Sequence, residues 1–323
     1  MSGQSGRNRP LAVITVTYNS ADVLPGFLDS LVDGLSGIEN AEVIVADNAS
    51  TDASADLALA HPIRPRVIKT GRNGGYSAGI NAAIATVSAG SDLLILNPDL
   101  RLLPGAARVL VERLEDPSVG IAAPQLLSEE GDLVHSLRRE PTVLTALSDS
   151  IFGGALGARL GTGEILADEA LYRDGGEVEW ASGAALAVSA EALERAGLWD
   201  ESFFLYSEEI EYCRRVRGAG FRVVYVPEAR AMHIGGDYLG DPGLYGLLTA
   251  NRIRYFRRYH SAVATSLFQA AVAVGEAGRA ALGRRHTSGF WAALSPERWT
   301  IEQPGCGGNA TPIEMPSGSR RIS

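Results

Sequence analysis

Asp99 stands where a buried strand surfaces. In LLILNPDLRL, Leu93 to Leu102, an apolar run passes straight into Asn97, Pro98 and Asp99. A carboxylate at such a place suits a hard divalent cation, which takes oxygen ligands, usually one or two carboxylates completed by phosphate oxygens. Asn, Pro and Asp also favour turns for local reasons, and the tripeptide alone fits the turn better than the metal. Two further polar strand ends accompany it. Thr17 to Asn19 close LAVITVTYNS, and Asp47 with Asn48 close AEVIVADNAS. In open parallel sheets ligands sit beyond the carboxyl ends of the strands, so these three ends form one acidic rim. A nucleotide diphosphate brought there needs a divalent cation.

The elements that must position these residues follow from the hydrophobic pattern. Short apolar, β-branched runs alternate with helical stretches: a strand at LAVITVT, a helix from Leu24 to Leu35, a strand at AEVIVAD, a helix after the capping signals of STDAS, and a strand at RPRVIKT. Next come a glycine-rich turn entering a helix at GRNGGYSAGINAAIATV and a fourth strand, DLLIL. This alternation predicts an α/β fold with an open, mostly parallel sheet and helices on both faces. The dinucleotide fingerprint is missing, because TVTYNSADV has no glycine after the first strand. A Walker-type loop is excluded too, since the only lysine, Lys69, precedes the glycines.

Later segments read less evenly. Pro141 to Glu179 is Gly-rich and mixed, as expected of a mobile loop over the site. Regular elements return with a strand near Val178, a helix after Ser189, an acidic helix start at Ser207 to Glu211 and the strand FRVVYVP. Glu211, four residues before Arg215, fits an intrahelical pair. The expected division is a disordered 1–10, an α/β domain over 11–238, a helical extension over 239–282 and a disordered tail over 283–323. The helical extension carries Arg252, Arg254, Arg257 and Arg258 among Ile253, Tyr255, Phe256 and Tyr259, followed by AVATSLFQAAVAV. That run is too short to span a bilayer. Residues 251–274 therefore read either as an interfacial membrane contact or as a helix packed on the main domain with an arginine face outward.

Composition narrows the class. The 323 residues are 46% hydrophobic and 21% charged, with a net charge of −9. From Asn251 onward ten Arg oppose four Glu, so the first 250 residues carry the negative charge and nucleic acid is not an expected partner. Cys213 and Cys306 lie far apart without metal-ligand spacing, which points to neither a disulfide framework nor zinc, and to a reducing, cytoplasmic setting.

TVTYNS, VADNASTDAS, NGGYSAGIN, LNPD and the block WASGAALAVSAEALERAGLWDESFFLYSEEIEYCRRVRGAGFRVVYVPEARAMH occur in this order. Together they resemble the family-2 inverting glycosyltransferases of the GT-A fold, and within them the rhamnosyltransferase branch of bacterial cell-wall and surface polysaccharide synthesis. The resemblance spans Leu11 to Gly236. It implies that Thr17 and Asn19 lie beside the nucleotide, that Asp47 and Asn48 face base and ribose, and that Arg72, Asn73, Gly74 and Gly75 line the nucleotide pocket. It implies Asp99 and His233 as metal ligands, with Asn97 where many relatives carry a first Asp. Trp180, Ser182 and Gly183 match a segment near donor sugar and acceptor. Ser136, Arg138 and Arg139 match another, whose Arg forks suit diphosphate oxygens. Where the family has Glu-Asp with the second acid as base, this chain has Glu208-Glu209, so Glu209, or else Glu208, takes the acceptor proton.

The function so implied is inverting transfer of a sugar that depends on Mg²⁺ or Mn²⁺. The expected donor is dTDP-rhamnose, with UDP-galactofuranose or GDP-mannose as alternatives, and the acceptor a saccharide or polyprenyl-linked saccharide at the inner face of the membrane. A non-catalytic nucleotide-sugar-binding relative is the other alternative.

Overall fold

The computed structural model describes residues 9–234 and 241–299. β1 (Leu11–Thr17), β2 (Ala41–Asp47), β3 (Arg66–Lys69) and β4 (Asp92–Leu96) lie side by side in the order β3-β2-β1-β4, all parallel. β1 and β4 are buried along their whole length, as strands covered on both faces must be. α1 (Leu24–Gly34), α2 (Ser54–Ala60) and α3 (Tyr76–Ile84) make the crossovers. The register sets Thr17 opposite Asp47, so two of the polar ends are neighbours by construction.

Beyond β4 the sheet becomes mixed. β5 (Leu100–Leu102), α4 (Ala106–Leu114) and β6 (Val119–Leu127) follow, then β7 (Leu137–Arg138), which later pairs with β9 in a separate ribbon. Pro141 to Glu179, expected as a mobile loop, instead folds into α5 (Val143–Phe152), α6 (Gly154–Arg159) and α7 (Glu169–Asp174). Thr142 caps α5 and Asp168 caps α7 with side-chain acceptors, which is how so Gly-rich a segment starts its helices. β8 (Gly176–Val178), β9 (Trp180–Ala181), β10 (Ala185–Val188), α8 (Ala190–Ala196), α9 (Glu208–Gly218) and β11 (Arg222–His233) complete the domain. β10 runs antiparallel between β4 and β6, while β11 lies parallel to β6 and antiparallel to β5 and β8. One face of the sheet packs on α1, α2 and α4 through Phe27, Leu28, Ala58 and Leu110. The other packs on α3, α8 and α9 through Ile80, Ala192, Tyr212 and Val216.

The extension is a second packed unit. α10 (Pro242–Tyr259), α11 (Ala262–Arg279) and α12 (Arg284–Leu294) share a core with α5 around Ile253, Phe256, Phe268 and Val272. α12 corrects the expected disordered tail over residues 284–294, and a short helical turn, Pro296–Arg298, follows it. The Gly and Ser of this stretch permit close helix contact: Ser288, Gly289, Ala292 and Ala293 are all buried. Residues 1–8 and 300–323, also expected to be disordered, lie outside the described residues.

The arginine face of α10 departs from expectation in part. Arg254 donates to the carbonyls of Pro296 and Trp299, Arg257 pairs with Glu297, Arg258 with Asp200, and Arg252 with Glu164. Arg252 and Arg254 are half-buried in these contacts, whereas Arg257 and Arg258 pair with their acids while staying exposed, as an outward face predicts. Among the described residues no helix is long and apolar enough to cross a membrane.

Glu276 on α11 receives His286 of α12 at 2.8 Å and the Tyr245 hydroxyl of α10 at 3.1 Å, with both Glu276 and His286 buried. Glu276→Ala strands those partners and is expected to cost about 3–5 kcal/mol. Chemical denaturation measures it, and an unchanged midpoint would mean that α12 does not pack as described.

Candidate active site

Strand pairing brings Asp99 and His233 together across more than a hundred residues of sequence. The β5–β11 register sets His233 opposite Leu100, the residue after Asp99, and the Ile234 amide donates to the Asp99 carbonyl at 2.9 Å. His233 Nε2 then lies 3.2 Å from Asp99 Oδ1. The two atoms are not aligned as a hydrogen bond, and each is buried without another partner. An imidazole nitrogen and a carboxylate oxygen side by side, both uncommitted, fit a divalent cation whose remaining ligands are phosphate oxygens or water. Among the described residues no third His, Cys, Asp or Glu joins them as a metal-holding group.

Asn97 follows from the other side of the sheet. Its amide donates to the Ala184 carbonyl at 2.8 Å, which sets it beside Ser182 and Gly183. These residues share one cavity of about 540 Å³ with Asp99, His233, Glu208, Glu209, Trp180, Ser136 and Arg138. Arg139 is turned away, donating to the Gly161 carbonyl while its own carbonyl accepts from the Trp180 indole. Gly183 is needed for close approach, because a Cβ there would meet Glu209 Cβ at 3.1 Å.

The acid pair opens α9. Phe204, Tyr206 and Ser207, just before it, hold φ of 61°, 68° and 72°, a left-handed conformation that costs a non-glycine residue on the order of 1–3 kcal/mol. Glu208 Oε2 and Glu209 Oε2 are buried without a hydrogen-bond partner. Burial pushes the Glu208 carboxyl well above the usual carboxylate range, and the charge of Glu209 beside it adds to the shift. Burial raises Glu209 as well. Glu211 does not join the pair. It accepts from Arg215 Nε at 2.8 Å, as its spacing predicted, and from the Tyr259 hydroxyl of α10.

The residues expected around the nucleotide brace one another. Thr17 Oγ1 donates to Asp47 Oδ1 at 3.1 Å, and Asp47 Oδ2 accepts the Ser50 amide. Asn19 Oδ1 accepts the Thr51 amide at 2.8 Å, Asn48 Nδ2 donates to the Gly75 carbonyl at 2.8 Å, and Asn73 Oδ1 accepts the Gly75 amide. Arg72, Gly74 and Asn48 line a separate recess of about 320 Å³. Gly75 has φ +90°, and a Cβ on it would lie 2.2 Å from the Phe204 carbonyl oxygen, so only glycine fits between turn and loop.

Several cavity residues escaped the sequence reading. Tyr76 reaches the Gly183 carbonyl at 3.4 Å. Burial, reinforced by the charges of Glu208, Asp99 and Glu209, pushes its phenol well up, so it stays a hydrogen-bond donor. It stood inside the motif NGGYSAGIN, yet the glycines drew the attention. Asp149 and Glu164, both paired with Arg252, form another wall. Nothing local marks them; the start signal of α5, Thr142 three residues before Thr145, was the available clue.

The cavity thus joins an acid pair to a carboxylate and an imidazole at one edge of the sheet. The profile described as Glycosyl transferase family 2 matches residues 12–169. The chain belongs to that family and is a glycosyltransferase. It is 28% identical over 303 residues to the N-acetylglucosaminyl-diphospho-decaprenol L-rhamnosyltransferase of Mycobacterium tuberculosis, covering 90% of this chain and 89% of the relative. To rhamnosyltransferase WbbL of Escherichia coli it is 26% identical, covering 68% of this chain and 82% of that one. In fold it is similar to a mannosyltransferase from Pyrobaculum calidifontis solved with GDP-mannose and Mn²⁺, at a TM-score of 0.53 and 19% identity, over 89% of this chain and 81% of that one.

Proposed function

We propose that the protein transfers L-rhamnose, with inversion, from dTDP-rhamnose to a hydroxyl of a saccharide carried on a polyprenyl diphosphate. The observation that carries this reading is the Glu208–Glu209 pair, each with a buried carboxylate oxygen, lining the same cavity as Asp99 and His233. The relatives that act as rhamnosyltransferases supply the sugar, and the decaprenol-linked substrate named for one of them supplies the acceptor class.

Glu209 is the base. It takes the proton of the acceptor hydroxyl as that oxygen attacks the anomeric carbon from the face opposite the diphosphate. Glu208 is buried beside it, and burial with the charge of Glu209 keeps the proton on Glu208. Tyr76 lines the same cavity with its hydroxyl on the Gly183 carbonyl, and Trp180 with Gly183 offers a surface to a sugar ring. A bound Mg²⁺ or Mn²⁺ at Asp99 and His233 supplies Lewis-acid charge to the leaving diphosphate. Thr17, Asp47 and Asn48 with the Arg72–Gly75 turn shape the nucleotide side.

Glu209→Gln is expected to keep donor binding and to lower turnover on the order of 10²–10⁴-fold. Because its folded value is raised, the base form disappears as pH falls through that raised value, so the acid limb of kcat/KM sits above the range of an exposed carboxylate. Near-normal turnover in Glu209→Gln would move the role elsewhere.

Metal dependence has its own test. EDTA is expected to abolish transfer, with Mg²⁺ or Mn²⁺ restoring it in the wild type and far less in Asp99→Ala. Transfer that survives EDTA would refute the cation. The same assay run with UDP-galactofuranose and GDP-mannose identifies the donor by rate.

Contact with the inner face of the membrane belongs to the same reading, though not through the arginines. It is supported by exposed apolar side chains on two adjoining helices: Leu144 and Ile151 of α5, 77% and 71% exposed, and Val263 and Val274 of α11, 72% and 70% exposed. Ile151→Glu with Val274→Glu is expected to abolish co-sedimentation with anionic vesicles while sparing transfer to a short-chain, detergent-solubilised acceptor. Undiminished vesicle binding would count against this face.

A further inference from the structure

Asn251, in the middle of α10, is fully buried. Its amide nitrogen donates to the carbonyls of Phe203 at 2.6 Å, Leu205 at 2.8 Å and Tyr206 at 3.3 Å. Its amide oxygen accepts Arg254 Nη1 at 2.6 Å, which fixes which end of the amide faces the loop, because arginine only donates. Arg254 is itself anchored to the carbonyls of Pro296 and Trp299. One side chain of the C-terminal extension thus gathers three carbonyls of the loop that delivers Glu208 and Glu209.

That loop needs an external hold. Phe204, Tyr206 and Ser207 all have left-handed φ without being glycine, and Ser207 makes no side-chain cap to α9. Such residues persist only when their surroundings over-determine them. The loop's remaining carbonyl, Phe204 O, accepts the Tyr76 amide at 2.7 Å and lies against Gly75. Leu205 and Tyr206 line the cavity between these two attachments. The loop is therefore pinned on one side to the donor-side glycine turn and on the other to α10.

We propose that Asn251 is a positioning residue: it holds residues 203–207 in their strained path so that Glu209, and with it Glu208, faces the acceptor in the cavity. The inference rests on the assignment of Glu209 as the base. Asn251 touches no reacting atom. It acts through the loop, and Arg254 acts through Asn251 by holding its amide in one orientation.

Asn251→Asp is the discriminating variant, since it keeps size and the Arg254 contact but replaces the donating nitrogen with an acceptor facing three carbonyls. It is expected to lower kcat by about 100-fold, the scale of a displacement near 1 Å at a reacting group. Donor affinity, read by calorimetry with the sugar nucleotide, should stay within about threefold. Hydrogen exchange should rise in peptides covering 203–209 and not in β1 or β4. If Asn251→Asp fails to fold, Arg254→Met provides the same readouts with the amide left in place. A role confined to stability would lower the melting temperature while leaving kcat per folded molecule and the exchange of 203–209 unchanged, and that result overturns the proposal. Full activity in Glu209→Gln would instead remove the base assignment on which it rests, independently of what Asn251 does.

Discussion

A short link closes the sheet on itself, and the site depends on it. β4 and β5 are joined by Asn97, Pro98 and Asp99 alone, yet β10, β6 and β11 stand between them in the sheet. Four strand spacings amount to about 19 Å, whereas four residue steps of extended chain reach only about 14 Å. A flat sheet cannot satisfy both. The register shift in β11 between Val226 and Arg230, with no matching break in β6, lets the far end of the sheet bend back. Asp99 is then held from two directions, by the end of β4 and by the pairing of β5 with β11, and His233 arrives as part of the same pairing.

Around that closure the protein gathers charge it does not neutralise internally. Several ionic groups elsewhere are paired: Arg222 with Asp116, Arg214 and Arg217 with Glu140, Arg215 with Glu211. In the cavity Asp99, Glu208 and Glu209 each keep a buried oxygen without a hydrogen bond. Unmatched groups of this kind cost stability in the free protein and are the ones a cationic or hydroxylic ligand can satisfy. Cys213, close by in α9, takes no part, since burial pushes its thiol up to about 12.

The parallel half of the fold was legible in the sequence because each of its strands is a short apolar run ending in polar residues, and the pattern alone places Thr17, Asp47 and Asp99 at one edge. The pairing of Asp99 with His233 was not legible from spacing. It depends on a long-range register and a bulge, and only resemblance pointed to the histidine. Misreadings came where composition was taken for order. Gly between residues 153 and 163 and Ser288 with Gly289 suggested looseness, but several of them allow close packing; Gly157, for instance, lies against Asp149 and Gly163. The inward turn of Arg252 and Arg254 was hidden because their partners, Glu164, Pro296 and Trp299, are remote in sequence.

The amide of Asn251 bears on how such enzymes can be recombined. Exchange of helical extensions between relatives is one route to new acceptors, although the core of the extension includes Ala146 of α5. Yet the loop of the domain presents carbonyls to the extension, and any graft must bring N–H groups to that spot. An aliphatic residue there would take that donor away from all three, so the two parts are inherited together or repaired together.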